Sequence, residues 1–411
     1  MSASASGSEI LFLAHRLPFP PDRGDKIHSH HVLKALAALA PVHVACFADN
    51  AGDWAHESEL AACAATYCLR ARKKPLPLAG LEALAKGQPI SLTAFHDKAL
   101  ADYVHATLAG GRIGTIFIFS GQMGQYVPAS FKGRVIADLV DVDSAKFDAY
   151  ARDGKGPMRY VHAREGRLLA AEEARIAARA ETTLLISKAE ADLLRSRLPA
   201  KTHAHVGVLS NGIDCTYFSP DITPDAGLAA QSGPKLIFTG QMDYAPNIAA
   251  VTRATQRLMP AILARHPQAS FHIVGRAATP AVQALHGVNG TQVHGAVPDM
   301  RPFLAAADIA LVPLEIARGV QNKVLEAMAM ALPCVLSPGA ATGIEARDGT
   351  DYSIAESDEA LIETTLALLD DPQRARAMGQ AASAHVLAHA SWDAALAPLK
   401  TLIEGAIPHA A

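Results

Sequence analysis

The strongest constraint on this chain is a rhythm that runs, stops and starts again. Short β-branched and apolar runs at residues 9–14, 42–47, 115–119, 134–140, 183–186 and 206–209 are separated by longer Ala- and Leu-rich stretches. Between the first two runs, residues 26–40 carry Leu33, Leu36 and Leu39 or Ala40 at helical spacing. Strands that alternate with helices build a parallel sheet joined by right-handed crossovers. Residues 220–234 break the rhythm with Pro, Gly, Asp and Ser and no periodic apolar face, the composition of a linker. The pattern then resumes, with strands expected at 235–239, 270–274, 291–294, 309–312 and 333–336 and helices at 247–265, 300–306, 323–331, 358–369 and 372–389. The expected fold class is α/β, with two doubly wound domains in tandem. Ligands of such sheets bind beyond the carboxyl ends of the strands, and two facing domains place the main site in the cleft between them.

A chain of 411 residues, half of them hydrophobic and 19% charged, has ample apolar surface for two cores. Its net charge of −3 is spread over interspersed acidic and basic residues. Gripping a nucleic-acid backbone needs a clustered basic face, so no nucleic-acid partner is expected. Cys46, Cys63, Cys68, Cys215 and Cys334 are odd in number and scattered, which fits reduced thiols in the cytoplasm. Residues 1–8 lack the basic-then-apolar order of a secretory signal. The best apolar run, residues 33–47, is cut by Pro41 and His43 and falls short of a membrane span. A cytoplasmic location is expected, with peripheral association at the inner face of the membrane left open.

Three prolines stiffen the loop after the first strand, which ends in Gly24-Asp25-Lys26 at the start of a helix. Gly24 there lets a ligand approach the backbone, a helix N-terminus favours anions, and Lys26 adds a positive charge. The alternative is an ordinary strand-to-helix turn, and the spacing is not that of a dinucleotide fingerprint. His28, His30 and His31 do not stand at the i, i+4 spacing of a helical metal pair and read as polar residues bordering a cleft. Residues 158–180 mix Arg and Glu, as a solvated helix does.

The richest stretch begins where a buried strand ends at Pro313. A loop containing Arg318, Gly319, Val320 and Gln321 leads into a helix that starts near Asn322. Free N–H groups at that start, with Lys323, suit a diphosphate. Glu326, one turn on, can accept hydrogen bonds from the vicinal hydroxyls of a ribose. The competing reading is a surface helix on which Lys323 and Glu326 pair with each other.

Four further blocks surround this stretch. They are Val208-Leu209-Ser210-Asn211-Gly212-Ile213-Asp214, Phe238-Thr239-Gly240-Gln241-Met242, His272-Ile273-Val274-Gly275, and Val293 to Asp299 with Leu304 to Ile309. In this order the chain resembles the family 4 retaining glycosyltransferases of the GT-B fold. The segments 18–26, 138–144 and 318–323 look like the sugar transferases associated with PEP-CTERM and exopolysaccharide gene clusters. The resemblance implies two Rossmann-like domains facing a cleft: residues 1–219 for the acceptor, a linker at 220–234, and 235–390 for the donor. Residues 391–411, with Trp392, would form a C-terminal helix returning to the N-terminal domain.

It also implies a UDP- or GDP-sugar donor, a glycan or lipid-linked acceptor, no cofactor and no metal. Gly240, Gln241 and Asn247 fall at the donor phosphates. The family often has arginine and lysine where this chain has Gln241 and Asn247. Many members carry two glutamates flanking seven residues; here Glu326 fits the second, Arg318 stands at the first, and Glu315 is three residues out of register. Arg318 and Lys323 together would then restore the missing charge. Asp141 occupies roughly the place of the family's histidine near the reacting sugar, as a group to orient the acceptor or take its proton. Asp143 or Ser144 reads instead as a cap of the helix through Tyr150. Rival readings are a UDP-sugar epimerase of the same fold and a catalytically idle glycan-binding protein.

Overall fold

Both halves of the rhythm become parallel sheets. The computed structural model describes residues 9–315 and 320–405. In the first sheet β1 (Glu9–Ala14), β2 (Val42–Ala48), β3 (Thr66–Ala71), β4 (Ile113–Phe119), β5 (Arg134–Val140), β6 (Thr182–Leu185) and β7 (Val206–Val208) lie in the order β3-β2-β1-β4-β5-β6-β7. In the second, β8 (Lys235–Thr239), β9 (Ser270–Val274), β10 (Thr291–Gly295), β11 (Ile309–Val312), β12 (Cys334–Leu336) and β13 (Ser353–Ile354) lie in the order β10-β9-β8-β11-β12-β13. Every pairing is parallel. The central strands are buried on both faces, which explains their near-continuous apolar sequences. Among the described residues, no helix is long and apolar enough to cross a membrane.

Chain contacts divide the protein into a unit of Met1–Asn211 with Leu396–Ala411 and a unit of Gly212–Ala395. Residues 220–234, read above as linker, lie within the second unit. They hold a one-turn helix, Ala226–Ala229, capped by Asp225 and anchored by buried Leu228. The last helix, Trp392–Glu404, has its second half in the first unit, where Arg134 donates to the carbonyl of Ile403. The expected helix at 247–265 is broken into Ala245–Arg253, a π-helical turn Ala254–Leu258, and Met259–Arg265. Pro260 has no N–H to continue the ladder. The register slips just before it, so that Met259 N–H reaches five residues back to Ala254.

Each sheet reverses its order of growth once, between β1 and β4 and between β8 and β11. The crevices beyond the carboxyl ends at these two points are where a doubly wound sheet binds ligands. The chain segments that leave β1, β4, β8 and β11 are therefore the ones to examine.

Candidate active site

In the second unit, three glycines close the carboxyl ends of adjacent strands. Gly240 follows β8 with φ +152°, Gly275 follows β9 with φ +156°, and Gly295 ends β10 with φ +71°. Gly275 N–H donates to Gly295 O at 2.9 Å, and Gly240 N–H to Val274 O at 3.1 Å. A Cβ on Gly275 would stand 1.6 Å from the Gly240 carbonyl oxygen. The backbones touch here without side chains, leaving a floor of peptide groups that runs from β8, at the switch point, across β9 to β10.

Opposite that floor, the helix Asn322–Ala329 starts after β11. Val324, Leu325, Ala327, Met328 and Ala329 bury its inner face, which leaves Asn322, Lys323 and Glu326 together on the other. Val324 and Leu325 N–H donate to Gln321 O, and among the described residues no carbonyl takes the N–H groups of Asn322 and Lys323. Those two amides and the positive end of the helix dipole remain for an anion.

Lys323 Nζ donates to Asn247 Oδ1 at 3.1 Å and to Gln321 Oε1 at 3.3 Å, and lies 5.3 Å from the centroid of the Phe238 ring. It forms no ion pair with Glu326, so the reading in which the two neutralise each other is corrected. Burial lowers the Lys323 pKa, an effect that Glu326 opposes. Burial raises Glu326 to about 7, against the pull of Lys323. No described residue donates to the Glu326 carboxylate. A half-buried carboxylate without a donor, one turn inside a helix with open amides, is incomplete as it stands.

Asn247 is buried and spends its amide within the chain, donating to Gln241 O at 2.9 Å and accepting from Lys323. It positions the Lys323 ammonium against the Gly240 turn, where direct contact with a donor was expected. Gln241 is exposed and accepts from Arg276 Nη2 at 3.2 Å. Arg276, exposed just after Gly275, was missed in the sequence; it brings a cation to the side of the Gly240 turn. Val320 is exposed at the entry to the helix, with Gln321 half-buried behind it. Arg318 and Gly319 lie outside the described residues.

In the first unit, a Cβ on Gly24 would meet nothing of the chain. The glycine therefore leaves open space at the start of its helix. Lys26 is a correction. Its side chain is buried, and Nζ bonds to Asp53 Oδ1 at 2.7 Å and to Phe19 O at 3.2 Å. Asp53 also accepts from Asp49 N–H. The charge of Lys26 thus ties the loop after β1 to the loop after β2 and is already neutralised. His28 is likewise drawn inward, with Nδ1 at 2.7 Å from Asn211 Oδ1 and Nε2 at 2.8 Å from Asp138 Oδ2. Burial would lower the pKa of His28, but Asp138 outweighs it and the net shift is upward. His30 packs edge-on against Phe19.

The Asp138 that holds His28 also accepts from Val140 N–H at 3.1 Å. Val140 has φ +68°, an outlier for a β-branched residue, and Asp141 follows at once. Such a conformation costs roughly 1–3 kcal/mol and persists only where the surroundings over-determine it. Here the buried Asp138–His28 pair, held in turn by half-buried Asn211, does so, and Asp141 is left exposed at the end of β5. Partial desolvation, with Asp143 and Asp138 nearby, raises the pKa of Asp141.

The cap expected from Asp143 or Ser144 is absent: the helix Asp143–Asp153 has Val142 as its N-cap. Its first amides are taken from outside, Val142 N–H by Glu190 and Ser144 N–H by Glu173, each at 2.8 Å. Glu173 and Glu165 belong to the helix Met158–Arg179, whose mixed charges read as solvated. Both are buried, and Glu165 caps a second helix through Ile90 and Ser91 N–H.

Residues 233–371, within the second unit, match the family model described as glycosyl transferases group 1. A curated relative is 30% identical over 237 residues: the GDP-mannose-dependent monoacylated alpha-(1-6)-phosphatidylinositol monomannoside mannosyltransferase of Corynebacterium glutamicum. The match covers 52% of this chain and 60% of the relative, so it spans less than two thirds of that protein.

Solved structures resemble nearly the whole chain. Anabaena HepE with UDP and glucose has a TM-score of 0.58 at 15% identity, over 96% of this chain and 99% of its own. A Rickettsia africae glycosyltransferase has a TM-score of 0.61 at 13% identity, over 98% and 100%. At these identities the likeness establishes the fold, two parallel α/β sheets as in the GT-B glycosyltransferases.

Proposed function

We propose that the chain is a glycosyltransferase that moves a sugar, with retention, from a UDP- or GDP-sugar to a glycan or lipid-linked acceptor in exopolysaccharide assembly. One observation carries the reading. In the group 1 segment, open helix amides, the ammonium of Lys323 and the unpartnered carboxylate of Glu326 share a helix face above a bare glycine floor. This set matches a nucleoside diphosphate group by group. The amides of Asn322 and Lys323 and the Lys323 ammonium take the phosphates, and Glu326 takes the ribose hydroxyls. Val320, Gln321 and the exposed Gln241 with Arg276 would flank the donor, and Arg318 and Gly319 belong to the same loop. The named mannosyltransferase and the UDP-bound HepE support a nucleotide-sugar donor.

In this reading the departing diphosphate is stabilised by the chain's own amides and cations, with no metal or other cofactor. Charge that develops on the leaving group meets dipoles already in place. Asp141, with its raised pKa, orients the acceptor hydroxyl or accepts its proton in a front-side displacement. The sugar–phosphate bond breaks, the acceptor oxygen bonds to the anomeric carbon on the same face, and the proton leaves with the diphosphate or through Asp141.

The test is a thermal-shift screen of UDP- and GDP-sugars, followed by NMR of the product formed with a glycan or lipid-linked acceptor. A raised melting temperature with one donor class and an axial-to-axial or equatorial-to-equatorial transfer are expected. Conversion of the donor sugar to its epimer without acceptor would replace the reading with that of an epimerase. Binding without turnover or hydrolysis would replace it with that of an idle binding protein.

A further inference from the structure

The helix Leu76–Lys86 is inside out. Ala79 and Ala83, four residues apart, are fully buried and form its inward face. The large apolar residues point the other way: Leu76, Leu78, Leu81 and Leu84 are 63%, 55%, 67% and 65% exposed. Leu78, Leu81 and Leu84 follow one another at intervals of three and form a single row. An ordinary surface helix puts its leucines inward and its charges outward.

This is not a loosely held segment. Pro75 and Pro77 stiffen its start, and Gly87 ends it in the left-handed conformation with φ +63°. Thr93 Oγ1 donates to Ala79 O at 2.8 Å, and Arg164 Nη2 to Ala83 O at 2.9 Å. The helix is a fixed ledge that presents leucines to its surroundings.

Its flanks are basic. Arg70 and Arg72 are paired with Asp97 and Asp49, so the surplus rests on Lys73, Lys74 and Lys86, which stand against the one acid between residues 70 and 88, Glu82. Glu82 is shared by Lys74 at 2.8 Å and Lys86 at 2.7 Å, and Lys73 is exposed with no ion pair among the described residues. An apolar row bordered by surplus positive charge is complementary to a surface that is oily inside and anionic at its edge.

We propose that the exposed face of the Leu76–Lys86 helix docks the protein onto an anionic lipid bilayer, the leucine row entering the headgroup–acyl boundary and Lys73 and Lys86 meeting the headgroups. This goes beyond the reading of the donor site and stands independently of it, since every residue involved lies in the first unit.

The full chain is sedimented with vesicles of phosphatidylcholine alone and of phosphatidylcholine with phosphatidylglycerol. Binding to the anionic vesicles, weakened by salt, is expected. Leu81→Gln and Leu84→Gln should each lower the partition coefficient about tenfold, and Lys73→Gln about fivefold on anionic vesicles alone. The melting temperature should not move, because these side chains touch solvent. Lys73→Gln, on a residue outside the helix, keeps the test open should a leucine variant fold poorly. Failure of the wild-type chain to bind anionic vesicles would overturn the proposal. So would undiminished binding of the leucine variants, or a solution dimer that Leu81→Gln dissociates, which would make a second copy the occupant. Donor binding is untouched by any of these outcomes.

Discussion

Glu326 should make the protein less stable than it needs to be, and by an amount that depends on pH. In the folded chain burial raises this carboxyl from its ordinary 4.5 to about 7. Each tenfold change in an ionisation constant corresponds to about 1.4 kcal/mol, so the shift corresponds to ~3 kcal/mol. For an acid raised on folding, the sign is fixed. Below pH 4.5 the carboxyl is protonated in both folded and unfolded chains, and it costs nothing. As pH rises, the unfolded chain releases its proton first and the native state loses stability. Above about pH 7 both states are ionised and the full penalty remains.

Glu326→Gln keeps the shape and removes the charge. Denaturant unfolding of the two proteins should therefore give equal stability near pH 4.5 and a variant more stable by ~3 kcal/mol near pH 8, the gap opening between the two. The same substitution should abolish the paired acceptance of ribose hydroxyls and weaken UDP or GDP binding roughly ten- to hundredfold. In the wild-type chain, donor affinity should fall as pH drops below about 7 and the carboxylate becomes protonated, levelling off near the affinity of the Glu326→Gln variant. A variant no more stable than wild type near pH 8 would refute the electrostatic argument. A variant that is stabilised but still binds the nucleotide normally would refute the functional one.

Other substitutions separate roles that the sequence leaves mixed. Lys323→Met should keep the fold and raise the Kd for UDP or GDP by roughly ten- to hundredfold, measured by calorimetry, with AMP-like monophosphates less affected. Gly275→Ala should lower stability by more than ~3 kcal/mol in denaturant unfolding, since the new Cβ would collide with the Gly240 carbonyl at a backbone angle that only glycine adopts easily. Lys26→Met should cost about 3–5 kcal/mol by leaving Asp53 buried and unpaired, yet leave nucleotide affinity unchanged because its charge is already spent.

The β-rich runs were legible because both faces of a central parallel strand are buried, so their sequences are almost purely apolar. What escaped was whatever lacks that burial. β3 reads TYCLRA and is half exposed at the sheet edge, and β13 is two residues long. The helix 226–229 hides in a stretch whose Pro, Gly and Asp serve one tight turn and its cap. Long-range polar contacts were the larger loss. Composition marks Lys26 as a cation near a helix start, but only the fold brings Asp53 to it from 27 residues away. Glu165 and Glu173 look solvated on a mixed-charge helix because the amides they cap belong to distant segments.

One signal was available and points to the general rule. Asp138 interrupts an apolar strand, and a carboxylate in such a place must find a partner or lose its charge. Its partner, His28, stood in the cluster that failed as a metal site. Read together, the two would have located the buried pair that braces Val140 beside Asp141. On the donor side the local spacing of Lys323 and Glu326 was enough to put them on one face, since both belong to the same helix. Asn247 was named from the resemblance, but its bond to Lys323, and Arg276 beside Gln241 across the β8 and β9 turns, needed the sheet to be built first. Local chemistry is thus readable residue by residue, whereas chemistry that depends on strand order becomes visible only once the switch point is known.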